Sequence, residues 1–302
     1  MSEHSPVNIR LKDLTELKKQ AENFLLPQSV HKSTAGFGSV YSPFKTRGLD
    51  FQEVRAYQPG DDIRQIDWHV TAKYGKPFTK LYTEEKERTI FFVVDLRSNM
   101  NFATHGDFKA VAAARLATFM ASVADHQKDK IGYLLLTDSG IVPGGYPDKE
   151  LLSQFLNELT SASTKKAKTG GWTQALRLLT QLLPTGSFVF FFSDFYDWQE
   201  EHSALLANIS DKHTFLFISI YDQLESSLPM DTLPFSDGKQ TIVVSANDKK
   251  TRKNFQTQWT KQQENLKRIA SKHMWGYLSV ATDSDYLNDL IHFCFGETIH
   301  AS

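Results

Sequence analysis

From residue 89 onward the chain alternates apolar strand-like runs with helix-like runs, and no other feature limits its fold as much. "TIFFVVDL" (89–96), "DKIGYLLLTD" (129–138), "SFVFFFSD" (187–194), "HTFLFISIYD" (213–222) and "WGYLSVAT" (275–282) read as strands. Helices are expected between them at 107–126, 148–160, 173–183, 199–210 and 248–273, with a closing helix at 284–295. A β-rich excursion carrying "QTIVVS" (240–245) interrupts the series. The strands lack the polar–apolar alternation of a half-wetted sheet, so both faces need cover, and the intervening helices supply it. The expected fold is α/β: a doubly wound, mainly parallel sheet with helices on both faces. Ligands of such sheets sit outside the carboxyl ends of the strands, near the switch in strand order. Asp95 and Asp194 stand at two such ends, and a glycine-bearing turn, "TGGWTQAL" (169–176), opens the helix between them.

The first 88 residues read differently. Ile9, Leu11, Leu14, Leu17, Ala21, Phe24 and Leu25 fall mostly three and four apart, the stripe of an amphipathic helix that Pro27 ends. Residues 31–60 are rich in Gly, Ser and aromatics without period, and suit loops and short strands laid against something larger. The expected division is therefore an N-terminal helix and wrapping extension over 1–88 and an α/β domain over 89–302. Within the extension, "PGDDIRQIDW" (59–68) begins with a turn at Pro59 and Gly60. Asp61 or Asp62 can cap a short helical turn. Arg64 can fork onto Asp67, Asp61 or Glu53, and Trp68 with Ile66 would bury apolar area. That makes the segment a clasp; its functional alternative is a docking surface.

Composition removes several classes of function. With 34 basic against 35 acidic residues the formal charge is −1, so no overall field favours nucleic acid or an anionic membrane. Cys294 is the only cysteine, which excludes an internal disulfide and a multi-cysteine zinc site and fits a reducing compartment. "MSEHSPVNIRLKDL" lacks a signal-peptide core, and no apolar run approaches the ~20 residues of a spanning helix; a cytoplasmic protein without a membrane span is expected. No G-x-x-x-x-G-K-[ST] loop, G-x-S-x-G elbow or H-E-x-x-H pair occurs, so no catalytic residue is assigned. His69, His105, His126, His202 and His213 suit surfaces or loops. The stripe Phe255, Trp259, Leu266, Ile269 and His273 on the long helix is spaced for packing on the sheet.

"VVDLRSNM", then "TGGWTQAL", then "FFSDF" resembles the von Willebrand factor A domain, whose metal-ion-dependent adhesion site uses D-x-S-x-S, a threonine turn and a later aspartate. "RAYQPGDDIRQIDWHVTAK", preceded by "GLDFQEV" and followed by "KLYTEEKERTIFFVVD", resembles the bacterial family called domain of unknown function fifty-eight. The resemblance runs roughly from residue 35 to 295. It implies an accessory or adaptor protein, not an enzyme, found with a MoxR-type AAA+ ATPase thought to mature protein complexes, with an unidentified client as the further partner. The membrane-spanning segments of longer relatives are not carried over.

Mapped onto that pattern, Asp95 is the first aspartate and Asp194 the later one, but both serines are replaced, by Arg97 and Asn99. Trp172 follows the two glycines, and Thr173 comes one place late. Arginine has five donors and no acceptor and cannot ligate a cation. Its fork is expected to neutralise Asp95 or Asp194 in place of Mg²⁺, with no cofactor. The alternative turns Arg97 into solvent and leaves Asp95, Asn99, Thr173 and Asp194 to hold a weak Mg²⁺. The enzyme-class rival is a metal-dependent hydrolase joining Asp95 and Asp194 with Asp61, Asp62 or Asp67.

Overall fold

A computed structural model of the chain describes residues 5–26, 54–58, 66–80, 88–148, 150–162, 171–228, 232–236, 241–245 and 249–296. In chain order the elements begin with α1 (Leu11–Ala21), β1 (Val54–Ala56), α2 (Trp68–Tyr74) and β2 (Phe78–Lys80). Then come β3 (Thr89–Asp95), α3 (Lys109–His126), β4 (Lys130–Thr137), β5 (Gly140–Pro143), α4 (Leu151–Ala162) and α5 (Trp172–Leu182). The remainder are β6 (Phe188–Ser193), α6 (Glu200–Ala207), β7 (Thr214–Tyr221), α7 (Gln223–Ser226), β8 (Thr232–Ser236), β9 (Thr241–Ser245), α8 (Lys249–Lys272), β10 (Gly276–Ala281) and α9 (Tyr286–Phe295).

The chain divides into two compact units, one of residues 46–87 and one of residues 1–45 with 88–302. The small unit pairs β1 with β2 antiparallel. Its α2 is capped by Asp67, whose carboxylate accepts from the His69 and Val70 N–H groups at 3.0 and 3.1 Å, and is ended by Gly75, held at φ +66° where a side chain would be strained.

The large unit is built on a six-stranded sheet in the order β10-β7-β6-β3-β4-β5, parallel throughout except for the antiparallel edge strand β5. The chain steps from β3 to β4 on one side and to β6 on the other, so the order reverses at β3. Every residue of β3 and β6 is buried, and the pleat sends alternate side chains into two cores. Ile90, Phe92, Val94, Phe188, Phe190 and Phe192 face α1, α3, α4 and α9, whereas Phe91, Val93, Val189 and Phe191 face α5, α6 and α8. Each such phenylalanine contributes roughly 1.5–3 kcal/mol through burial. The small residues of α3 let it lie close against the sheet, and it is buried on nearly every side. No helix among the described residues is long and apolar enough to cross a membrane.

The doubly wound α/β arrangement is the one expected, but the expected division at residue 88 differs from the observed one. Helix α1 packs on α3 through Leu14 and Ala21, and Phe24 just after it meets Phe119 edge-on with ring centres 5.3 Å apart. It is a layer of the α/β body, because its apolar stripe finds the outer face of α3. Trp68, expected to bury apolar area, is 67% exposed. It is the first residue of α2, whose direction is set by the Asp67 cap. His202, expected on the surface, is buried. Gly60, Asp61, Asp62 and Arg64 lie outside the described residues.

Candidate functional site

The reversal at β3 puts the carboxyl ends of β3 and β6 side by side, and Asp95 and Asp194 stand there. Asp95 is fully buried and Asp194 nearly so. After Asp194 the chain turns through Phe195, a non-glycine residue in the left-handed region at φ +52°, a conformation that costs about 1 kcal/mol or more. The Phe195 N–H donates to Ser193 Oγ at 3.0 Å and the Tyr196 N–H to Asp194 Oδ1 at 3.0 Å, which fixes that turn.

Arg97 lies two residues beyond Asp95 and forks onto it, Nε to Oδ1 at 2.9 Å and Nη2 to Oδ2 at 2.7 Å. Its outer edge forks a second time, onto Asp197, at 2.6 and 2.9 Å. Asp95 also accepts from the Arg97 N–H at 3.1 Å and the Ser193 hydroxyl at 2.7 Å. Asp197 accepts from Trp172 Nε1–H at 3.0 Å, and the guanidinium lies 5.6 Å from the Trp172 ring centre. Burial opposes the Arg97 charge, but the hydrogen bonds to Asp95 and Asp197 outweigh it and hold its pKa above the ordinary arginine value. Burial likewise pushes the Asp95 carboxyl up, against the Arg97 fork. A guanidinium that stays protonated and meets both oxygens favours the carboxylate form of Asp95 against that burial. Burial also pushes Asp197 upward, but the Arg97 fork prevails and holds it below the usual carboxylate range.

Asp194 has a different partner. Lys109, the first residue of α3 and buried, places Nζ 2.7 Å from Asp194 Oδ2 and 2.6 Å from Glu225 Oε1. Asn99 Nδ2–H is shared between the two Asp194 oxygens at 3.1 Å each. Burial works against the Lys109 charge, yet its attraction to Asp194 and Glu225 raises its pKa above the ordinary lysine value. Thr173 turns away from these carboxylates. Its hydroxyl stands 3.1 Å from His202 Nε2 and 3.3 Å from Glu201.

The expected residues Asp95, Arg97, Asn99 and Asp194 are thus brought together, and Thr173 is not. Asp67 caps α2 in the small unit. Sequence reasoning missed Lys109, Asp197, Trp172, Glu225 and Asp222. Asp222, after β7, is buried and accepts from the Thr104 N–H and hydroxyl at 2.8 and 2.7 Å and the Leu224 N–H at 2.9 Å. A lone lysine opening an otherwise buried alanine-rich helix was the available signal for Lys109.

Mg²⁺ needs oxygen ligands in near-octahedral array at about 2.1 Å. Each oxygen of Asp95 meets a guanidinium nitrogen, each oxygen of Asp194 meets an N–H donor, and Thr173 points elsewhere, so the donor set as arranged does not fit such an ion. Among the described residues no three His, Cys, Asp or Glu side chains group to hold a metal.

Beside the ion pairs, at the carboxyl ends of β6 and β7, opens a cavity of about 390 Å³ walled by Phe102, Tyr196, Tyr221, Phe255 and Trp259. Of the stripe expected to pack on the sheet, Leu266 and Ile269 do so and His273 stacks on Trp275, while Phe255 and Trp259 wall this crevice.

A family model described as "Protein of unknown function DUF58" matches residues 53–265. The uncharacterized protein Rv1480 of Mycobacterium tuberculosis and Mb1516 of Mycobacterium bovis are each 26% identical over 256 residues, covering 82% of this chain and 78% of the relative. Among solved structures, BatB from Bacteroides thetaiotaomicron is similar at 13% identity and TM-score 0.42, over 68% of this chain and 96% of that one. An aerotolerance-related membrane protein from Bacteroides fragilis is similar at 14% identity and TM-score 0.43, over 70% of this chain and 100% of that one.

Proposed function

We propose, for a chain that belongs to the family of unknown function DUF58, a non-enzymatic adaptor that docks other proteins at the carboxyl edge of its sheet without a metal ion. One observation carries the reading: Arg97 forks onto Asp95 and Asp197 at once while Lys109 holds Asp194. Two fixed cations supply, from within the chain, the charge balance that a divalent ion would otherwise bring to the buried aspartates. The edge is then assembled before any partner arrives, which lowers the ordering cost of docking. Tyr196, 77% exposed at the rim, and the aromatic crevice beside it offer contact area of the kind that anchors interfaces.

The finer part of the proposal is the partner: a MoxR-type AAA+ ATPase, in the cytoplasm, acting on a client protein complex. A hydrolase using Asp95 and Asp194 would need them open to a shared metal, and their oxygens are engaged by Arg97, Ser193, Asn99 and Lys109.

The test is retention of the purified ATPase on the immobilised chain, with and without EDTA. Retention is expected to survive the chelator and to be lost in Tyr196→Lys, which places a charged chain at the exposed rim. Release by EDTA contradicts metal-free docking, and failure of the ATPase to bind at all contradicts the partner assignment.

A further inference from the structure

We infer that the aromatic crevice takes a basic side chain, a guanidinium or ammonium, presented by the docking protein. The inference rests on the docking role proposed above and adds the sign of the anchor. The cavity wall carries two carboxylates, Asp194 and Glu225. The buried Lys109 ammonium bridges both, so among the described residues these three groups sum to one unit of negative charge at the crevice. Asp222, next to Tyr221 in the chain, adds a further buried negative charge whose contacts are neutral N–H and O–H groups.

The two carboxylates differ in what they can still accept. Asp194 receives Asn99, Lys109 and the Tyr196 N–H, which fills its near lone pairs. Glu225 receives Lys109 on Oε1 and the Asp222 N–H on Oε2 at 2.9 Å, and its side chain is 31% exposed. Each Glu225 oxygen therefore keeps a lone pair.

The rings set the shape. Trp259 and Tyr221 sit 5.2 Å apart, inclined at 57°, and both line the cavity. A cation over such faces is attracted by their negative π density. This edge already uses that geometry, with Lys109 Nζ 5.9 Å from the Phe102 ring and Arg97 over Trp172. A carboxylate in the crevice would meet Asp194 and Glu225 with like charge, and an apolar side chain would leave the Glu225 lone pairs unmet. A lysine or arginine satisfies both the rings and the glutamate.

The probes are capped tripeptides, Gly-Arg-Gly, Gly-Lys-Gly and Gly-Glu-Gly, titrated while the indole N–H resonances of the five tryptophans are followed by NMR, with Trp259→Phe identifying the crevice signal. The basic peptides are expected to shift the Trp259 resonance and the acidic one to leave it in place. Gln258→Lys changes an exposed residue of the crevice wall, threatens no core packing, and should weaken the basic peptides about fivefold through like charge. Glu225→Gln should weaken them as well. A Trp259 signal unmoved by the basic peptides, moved equally by the acidic one, or insensitive to Gln258→Lys overturns the inference. If the partner docks but an excess of basic tripeptide does not displace it, the crevice assignment alone fails. If the Trp259 signal responds but no partner docks, the docking role alone fails.

Discussion

Replacing Arg97 by alanine strips the guanidinium from Asp95, a carboxylate with no exposure, and leaves it the Ser193 hydroxyl and one backbone N–H. The Arg97 side chain is itself only 11% exposed. Removing one partner of such a buried pair costs about 3–5 kcal/mol. The lower figure, about 3 kcal/mol, is expected here, because Asp95 can escape by taking up a proton. The second pair adds less than about 1 kcal/mol, since Asp197 is 44% exposed and screened by water. At about 2–4 °C per kcal/mol for a body of this size, melting should fall by roughly 6–12 °C. The sign with pH follows from linkage. Burial already raises Asp95, and in the variant only the Ser193 hydroxyl and one backbone N–H oppose it, so its folded pKa lies further above its unfolded one. Stability contributed by the protonated form is then full at low pH and lost as pH rises through the folded value. Urea unfolding at pH 5 and pH 8 should therefore show the larger loss at pH 8. A loss below about 1 kcal/mol, or one independent of pH, would refute the account of Arg97 as the counter-charge of Asp95.

Asp222 ties the 104 loop, α7 and Thr282 together, so Asp222→Ala should cost roughly 3 kcal/mol by orphaning buried donors and Asp222→Asn clearly less; denaturant midpoints of the two variants decide it. His202 accepts the Gln199 N–H on Nδ1 at 2.9 Å, and burial is the main reason its pKa lies below the ordinary value. Its contribution to stability is full above about pH 6.5 and lost as pH falls through the depressed folded value, with His213 and His273 acting in the same direction. Melting temperature should accordingly drop on acidification, less steeply in His202→Gln. Burial pushes the Cys294 thiol far up, so an aromatic disulfide reagent should leave the native chain unmodified and label it once urea unfolds it.

The strands were readable in the sequence to within about a residue or two because runs such as "FVFFF" suit only an element buried on both faces. What escaped was short or depended on partners far along the chain. The edge strand β5 is four residues long, and the turn at Ser98–Met100 has no period to betray it. Asp95 and Arg97 lie two apart and their meeting follows from local geometry. Lys109 reaches Asp194 across 85 residues and Glu225 across 116, and Arg97 reaches Asp197 across 100. No spacing rule announces such pairs; the strand order creates them. Trp172 at the turn is explained by its packing against Phe195 and Trp198 and by Asp197, whose carboxylate its indole N–H engages.

The central claim is that side-chain cations stand where a divalent ion would. Isothermal titration of the purified chain with Mg²⁺ and Mn²⁺, repeated on Arg97→Ser combined with Asn99→Ser, tests it most directly. The account predicts no heat of binding for the natural chain and binding in the double variant, where the guanidinium is gone and two hydroxyls take its place. Saturable binding of either ion to the natural chain, with Arg97 displaced from Asp95, would contradict it.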